Sequence, residues 1–281
     1  MASGAPPPLA GVYTPSSEKT LTEGSMFKHY RLFLLSLLGM LATSAAHAEQ
    51  FSVALFTKTA GWHHESINEA VIAVRRLGEL HDFKVFWTED PTRVFNDEEL
   101  KKYKAVIFLS TTGDALNDEQ QGAFERYIKA GGGYVGIHAA ADTEYGWPWY
   151  TKMVGHMFHI HPAVQTATIK VEDSNFPGMD RFAKRFLATE EWYEYDAPRS
   201  KLHYLLSVDE KTYKPEANWG PKAGKGMGNF HPIAWYQQYD GGRAFYTGLG
   251  HLPGTWSDAQ FLHHVYGGIY WAATGNGFTA N

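Results

Sequence analysis

The sequence predicts an α/β fold built on a mostly parallel sheet with helices over both faces. Three observations predict it. From residue 51 onward, short apolar runs with strand character alternate with segments of helical spacing. The first four of those runs are continuously apolar instead of alternating with polar residues, which is the pattern of strands buried on both faces. Residues 49–281 are also long enough for one sizeable domain, with no internal repeat and no linker-like break.

Residues 1–48 stand outside that pattern. Residues 1–25 are rich in Gly, Pro, Ser and Thr without periodicity and read as an extension with no fold of its own. Residues 26–48, "MFKHYRLFLLSLLGMLATSAAHA", have the layout of a cleavable secretory signal. Lys28 and Arg31 form its basic start. The apolar core from Leu32 to Leu41 is too short to span a bilayer comfortably. Ala46 and Ala48 place small residues at the −3 and −1 positions of a cut before Glu49. The expectation is a periplasmic or secreted protein with no stable membrane insertion after cleavage.

The fold proper opens with "FSVALFT" (51–57), a buried strand, and "INEAVIAVRRLGEL" (67–80), apolar at helical spacing. "FKVFWTED" (83–90) is the second strand, and "NDEELKKY" (96–103) is a short helix with Asn96 or Asp97 as its cap. "KAVIFLST" (104–111) is the third strand. "LNDEQQGAFERYIKAGGG" (116–133) is a capped helix ended by glycine, and "YVGIH" (134–138) is the fourth strand. The second half is less regular. "YGWPWYTKMVG" (145–155) reads as a short aromatic helix, and "QTATIKVED" (165–173) alternates like a strand at or near an edge. "DRFAKRF" (180–186) reads as a short helix and "KLHYLLSVD" (201–209) as a strand. A long polar, glycine-rich loop covers 212–230. "HPIAWYQQYDGGRAFYTGLG" (231–250) is two strands turning at Asp240, Gly241 and Gly242, and "DAQFLHHVYGGIYWAA" (258–273) is the closing helix.

Composition excludes several functions. The chain has 25 Lys+Arg against 30 Asp+Glu, with no clustered positive charge, so no nucleic-acid surface is expected. The absence of cysteine excludes disulfides and thiolate catalysis, and limits any metal site to His, Asp, Glu and water. "AGGGYVG" (130–136) precedes a strand instead of joining a strand to a helix, so neither a nucleotide nor a flavin is expected. "GIHAA" (136–140) has the crowded small residues of a nucleophile elbow, yet it presents His138 rather than Ser or Cys.

In open parallel sheets, ligands bind beyond the carboxyl ends of the strands. Those ends deliver His63 and His64, His138 with Asp142, and His251, while "VGHMFHIHP" adds His156, His159 and His161. Neutral imidazoles suit zinc and similar divalent ions, and they also serve as bases near neutral pH. The expected ligands of a divalent transition metal (zinc, manganese or nickel) are His64, His138, His159 and His251. No HExxH signature supports them, and His138 taken alone could equally be an imidazole packed on a backbone carbonyl. His263 and His264 read as packing or surface residues. "ATEEWYEYDAP" (188–198) concentrates carboxylates among aromatics, and an extended chain there puts Glu191 and Tyr193 on one face. His138, Glu191, Asp142 and His251 are the catalytic candidates. Trp62, His63, Trp147, Tyr193 and Trp256 are the substrate-binding candidates, since aromatic faces near polar loops suit a sugar; ordinary packing explains some of them as well.

Taken in order, "GWHHES", "GGGYVGIHAAAD", "GHMFHIHP", "TEEWY", "HPIAWYQQYDGGRAFYTGLGH" and the final "GGIYWA" resemble the ThuA-like family, named for trehalose utilisation, over nearly all of residues 51–273. The resemblance implies a flavodoxin-like three-layer α/β/α sandwich of the class I glutamine amidotransferase type. It implies that His138 stands where amidotransferases keep a cysteine nucleophile, and His251 in the region of their catalytic histidine. Glu191 and Tyr193 match the family's acidic–aromatic pair, with Glu190 where Asp is common. It also implies a role in sugar catabolism. The leading expectation is an exported enzyme that cleaves glycosides or 3-keto-glycosides with a metal, by hydrolysis or by elimination and hydration. The alternatives are a non-catalytic carbohydrate-binding protein and a metal-dependent hydrolase of a non-sugar ester or amide.

Overall fold

The computed structural model describes residues 49–278. The extension read over residues 1–25 and the signal read over residues 26–48 lie outside the described residues. The chain runs β1 (Phe51–Phe56), α1 (Ile67–Leu80), β2 (Phe83–Thr88), α2 (Asp97–Leu100), β3 (Ala105–Leu109), α3 (Asp118–Lys129) and β4 (Gly133–Ile137). A 3-10 turn at His138–Asp142 leads into α4 (Pro148–Val154), β5 (Phe158–Ile160), β6 (Gln165–Val171), β7 (Arg185–Glu190) and β8 (Glu194–Tyr195). The last part comprises β9 (His203–Val208), β10 (Ala217–Asn218), β11 (Ala223–Gly224), β12 (His231–Tyr239), β13 (Gly242–Thr247) and α5 (Ala259–Thr274).

Nine strands form one sheet in the order β2-β1-β3-β4-β13-β12-β9-β6-β7. From β2 to β13 neighbours pair in parallel. From β13 to β7 they pair antiparallel. The sheet is therefore mixed instead of mostly parallel, because the second half of the chain returns through antiparallel pairings. Side chains along a strand alternate between faces. On β3, Ile107 and Leu109 join one core with α1 and α5, while Val106 and Phe108 join the other with α2, α3 and α4. Both faces are dry, so the strand has to be apolar throughout, and the architecture is an α/β/α sandwich.

Local chemistry sets the helix ends. Asn117 and Gln120 exchange side-chain and backbone hydrogen bonds at 2.9 and 3.0 Å, a capping box that starts α3. Asp258 accepts from the amides of Gln260 and Phe261 to start α5, which stops at Gly275 in the left-handed conformation. The helix expected over residues 180–186 does not form. Residues 180–184 make turns and bends, and Arg185 enters β7, where the Thr189 hydroxyl sits 2.6 Å from that of Thr166 on β6. Pairing along β6 outweighs the weak helical spacing of Phe182 and Phe186.

The strand directions bring the carboxyl ends of β1, β3, β4, β13 and β7, and the amino end of β12, to one edge of the sheet. Among the described residues no helix is long and apolar enough to cross a membrane.

Phe108 is fully buried and ringed by Phe56, Phe95, Phe124, Tyr134 and Tyr150. Phe108→Ala is expected to cost ~3–5 kcal/mol, read as a lower denaturant midpoint at unchanged slope.

Candidate functional site

His138 directly follows β4 with φ 51°, a left-handed conformation that costs a non-glycine residue roughly 1–3 kcal/mol. The surroundings hold it there. Its carbonyl accepts the Tyr246 hydroxyl at 2.7 Å, and its ring Nδ1 lies 3.1 Å from the Gly248 carbonyl. A carbonyl only accepts, so Nδ1 carries the hydrogen and Nε2 turns its lone pair toward His251, Glu191 and Tyr193. Ala139, Ala140 and Ala141 are fully buried behind the turn.

Three more donors converge on that nitrogen. His64 comes from the loop between β1 and α1; its ring stands perpendicular to that of His138, with centroids 4.7 Å apart. The Ser66 hydroxyl donates to the Gly250 carbonyl at 3.0 Å and ties this loop to the segment after β13. His251 Nδ1 lies 3.2 Å from His138 Nε2 and 3.3 Å from Glu191 Oε2. Glu191 follows β7 directly. Its neighbour Trp192 turns into the opposite core and donates its indole N–H to the Gln165 carbonyl at 2.9 Å. This alternation leaves Glu191 and Tyr193 facing the site, with the Tyr193 hydroxyl 3.1 Å from His138 Nε2. One potential ligand atom from each of His64, His138, Glu191 and His251 lies within 4.8 Å of the others.

Glu190 is the hidden support of this group. Its buried carboxylate accepts the amides of Gly250 and His251, both at 3.1 Å, and the Thr255 hydroxyl at 2.6 Å. It therefore fixes the backbone of His251 from the strand that presents Glu191.

Burial holds all three imidazoles neutral, and neighbouring imidazoles reinforce it, His161 in the case of His138. His64 is pushed down to about 2, His138 to about 3, where the Gly248 carbonyl opposes the shift, and His251 to about 4, where Glu191 opposes it. Burial raises the Glu191 carboxyl even though His161 and His251 draw it down. Desolvated carboxylate and neutral imidazoles fit a divalent ion, which would compensate the buried negative charge and use the free lone pairs. His64 adds a second indication, since its buried Nδ1 has no hydrogen-bond partner. His161 lies just outside, with Nε2 3.1 Å from Glu191 Oε1.

Above the cluster opens a cavity of about 480 Å³, walled by Trp62, Trp219, Phe158, Tyr193 and Asp142. Trp62 is 73% exposed and leaves its ring free for a ligand. Asp142 accepts the Tyr145 hydroxyl at 2.7 Å, and burial raises its carboxyl against that bond.

A family model described as ThuA, trehalose utilisation, matches residues 52–272. The chain belongs to the ThuA family. Its fold is similar to that of a putative ThuA-like protein from Bacteroides uniformis, with 23% identity, a TM-score of 0.67 and coverage of 82% of this chain and 94% of that one. A second ThuA-like structure, from Parabacteroides merdae, gives 18% identity and a TM-score of 0.66 over 82% of this chain and 92% of its own. A β-galactosidase from Bacillus circulans sp. alkalophilus shares the fold over 30% of its length and 79% of this chain, at 15% identity and a TM-score of 0.50. No curated protein sequence matches the chain.

In this ThuA domain His64, His138 and His251 come together, whereas the expected fourth ligand, His159, does not join them. It sits on β5 with Nε2 3.2 Å from the Ala223 carbonyl, and Glu191 occupies the fourth position. Two aromatic candidates are core residues. Trp147 is buried against Trp149 and Tyr150 and donates to Glu125, and Trp256 is buried against Phe261 and donates to the Gly250 carbonyl. His63 is exposed beside the Thr59 hydroxyl and is not one of the four clustered groups. Phe158, His161 and Trp219 line the cavity without having been singled out as site residues. The tight "HMFHIHP" run carried a signal for the first two, while Trp219 lies in a polar loop without periodicity.

Glu190→Ala leaves the buried amides of Gly250 and His251 without an acceptor. A loss of ~1–3 kcal/mol per group is expected in equilibrium unfolding, with the fold retained in circular dichroism.

Proposed function

We propose that this ThuA-family protein is an exported, metal-dependent enzyme that cleaves glycosides or 3-keto-glycosides. The observation that carries this reading is the group of three neutral imidazoles and one carboxylate, of which His64, His251 and Glu191 line the floor of an aromatic-walled cavity and His138 lies directly behind them. His64, His138, His251 and Glu191 would hold a divalent ion. When bound, that ion supplies Lewis acidity toward a carbonyl or water oxygen.

The chain's own residues account for the remaining work. Trp62 and Trp219 offer faces on which the apolar side of a sugar ring packs. The Tyr193 hydroxyl donates to the His138 Nε2 lone pair, and once an ion takes that lone pair its hydrogen would turn to a substrate oxygen at the cavity floor. With Glu191 among the donors, Asp142 is the carboxyl left for proton transfer, and its raised carboxyl suits exchange nearer neutral pH. In a 3-keto-glycoside the carbonyl acidifies the C2 proton. Asp142 takes that proton, the C2–H pair forms the C1–C2 double bond, the C1 substituent leaves with its bonding pair and takes the proton back from Asp142, and water then adds its hydroxyl to C1 and its proton to C2. His161 holds the outer oxygen of Glu191 and keeps the inner one facing His138 and His251.

Elemental mass spectrometry on untagged protein tests the reading. About one equivalent of a transition metal per chain is expected. His138→Ala is expected to weaken binding beyond the ~10–100-fold of a supporting-residue change, whereas His159→Ala retains it. Loaded protein should release the aglycone from a 3-keto-glycoside, and Asp142→Asn should slow release by ~100-fold or more without loss of metal. Protein that takes up none of zinc, manganese, nickel or cobalt contradicts the metal mechanism and leaves carbohydrate binding as the function of the cavity.

A further inference from the structure

His231 and Glu210 lie outside the cavity, and nothing in the proposed chemistry uses them. His231 opens β12 and is 1% exposed. Each of its ring nitrogens meets an oxygen: Nε2 lies 2.7 Å from the Tyr193 carbonyl, and Nδ1 lies 2.7 Å from Glu210 Oε1, with the Tyr213 hydroxyl 3.1 Å from the same nitrogen. Glu210 turns its carboxylate to the glycine-rich segment, where it accepts the amides of Met227 and Gly228. The preceding amide, of Gly226, donates to Glu194 at 2.7 Å. Three successive amides are thus satisfied by two of the protein's own carboxylates.

Glu194 follows Tyr193 in the chain, so these contacts close a circuit. It runs from the Tyr193 carbonyl through His231 and Glu210 to residues 226–228, and back through Glu194. The hairpin of β10 and β11 leads directly into this segment and carries Trp219, whose ring packs edge-on to His161 at 4.7 Å. One side of the circuit therefore carries the floor of the cavity and the other carries its wall.

We infer that His231 and Glu210 are positioning residues that set the Trp219 wall against the Tyr193 floor. The inference rests on the reading of this cavity as the substrate site. Two glycines separate positioning from simple backbone strain. Gly226 and Gly228 share the same φ of 83°. A Cβ on Gly226 would stand 2.6 Å from Glu210 Oε1, whereas one on Gly228 meets nothing within 4 Å. Alanine strains the backbone equally at both positions, but only at Gly226 does it push on the carboxylate.

Fluorine NMR of fluorotryptophan-labelled protein, with the Trp219 resonance assigned through Trp219→Phe, reads the wall directly. Gly226→Ala, Glu210→Ala and His231→Gln are each expected to shift or broaden that resonance. Gly228→Ala is expected to leave it in place at a similar loss of thermal stability. In the Glu210→Ala background Gly226→Ala should add no further shift, since the carboxylate it displaces is gone. Equal responses to the two glycine changes, or additive shifts of Gly226→Ala and Glu210→Ala, overturn the inference. Glu210→Ser, which also removes the group that a Cβ on Gly226 would meet, replaces Glu210→Ala in the cycle if the latter does not fold. Cobalt absorption on the same samples keeps the two readings apart: wild-type protein that takes up no cobalt counts against the metal reading, while the Trp219 resonance still decides the positioning role.

Discussion

The site depends on a buried imidazole held on a left-handed turn at the end of β4. A histidine at positive φ is unfavourable on its own, and His138 stays there because its carbonyl is bonded to Tyr246 and its Nδ1 to Gly248. Those contacts also fix the tautomer and leave Nε2 as the point on which the other groups converge. The turn geometry of a nucleophile elbow is thereby used to present a lone pair at a fixed place instead of a thiolate or an alkoxide.

The mixed sheet explains how four separate segments reach that nitrogen. The parallel half delivers His64 and His138 from the ends of β1 and β4, and β13 leads to His251. The antiparallel half brings β7 back with its carboxyl end at the same edge, so that Glu191 and Tyr193 arrive from the far side. Glu190 joins the two halves, because its carboxylate sits on β7 and holds the backbone of Gly250 and His251. Adjacent glutamates thus divide the work, one fixing a neighbour and the other facing the cavity.

What could be read in the sequence followed from chain direction and strand burial. Continuous apolar runs announced the buried strands β1, β3 and β4, whereas β2 lies at the sheet edge with Lys84 and Trp87 exposed, and parallel-sheet geometry placed His64, His138 and His251 near one edge. Glu191 and Tyr193 followed from simple alternation in an extended segment. What could not be read depended on contacts between distant segments. Phe182 and Phe186 carry helical spacing, yet the chain there pairs with β6. Trp147 and Trp256 sit in or near loops by sequence, yet pack into the core. His159 and His161 share a parity in an extended chain, but β5 ends between them and only His161 reaches Glu191. Trp219 becomes a cavity wall only through the folded glycine-rich segment, whose amides bond to Glu194 and Glu210.

X-ray absorption spectroscopy of the zinc-loaded protein tests the convergence of these donors most directly. His64, His138, His251 and Glu191 predict a light-atom shell at about 2.0–2.1 Å, with the outer-shell scattering of three imidazoles. A spectrum with one imidazole or none would place the ion elsewhere on the molecule and contradict the proposed centre.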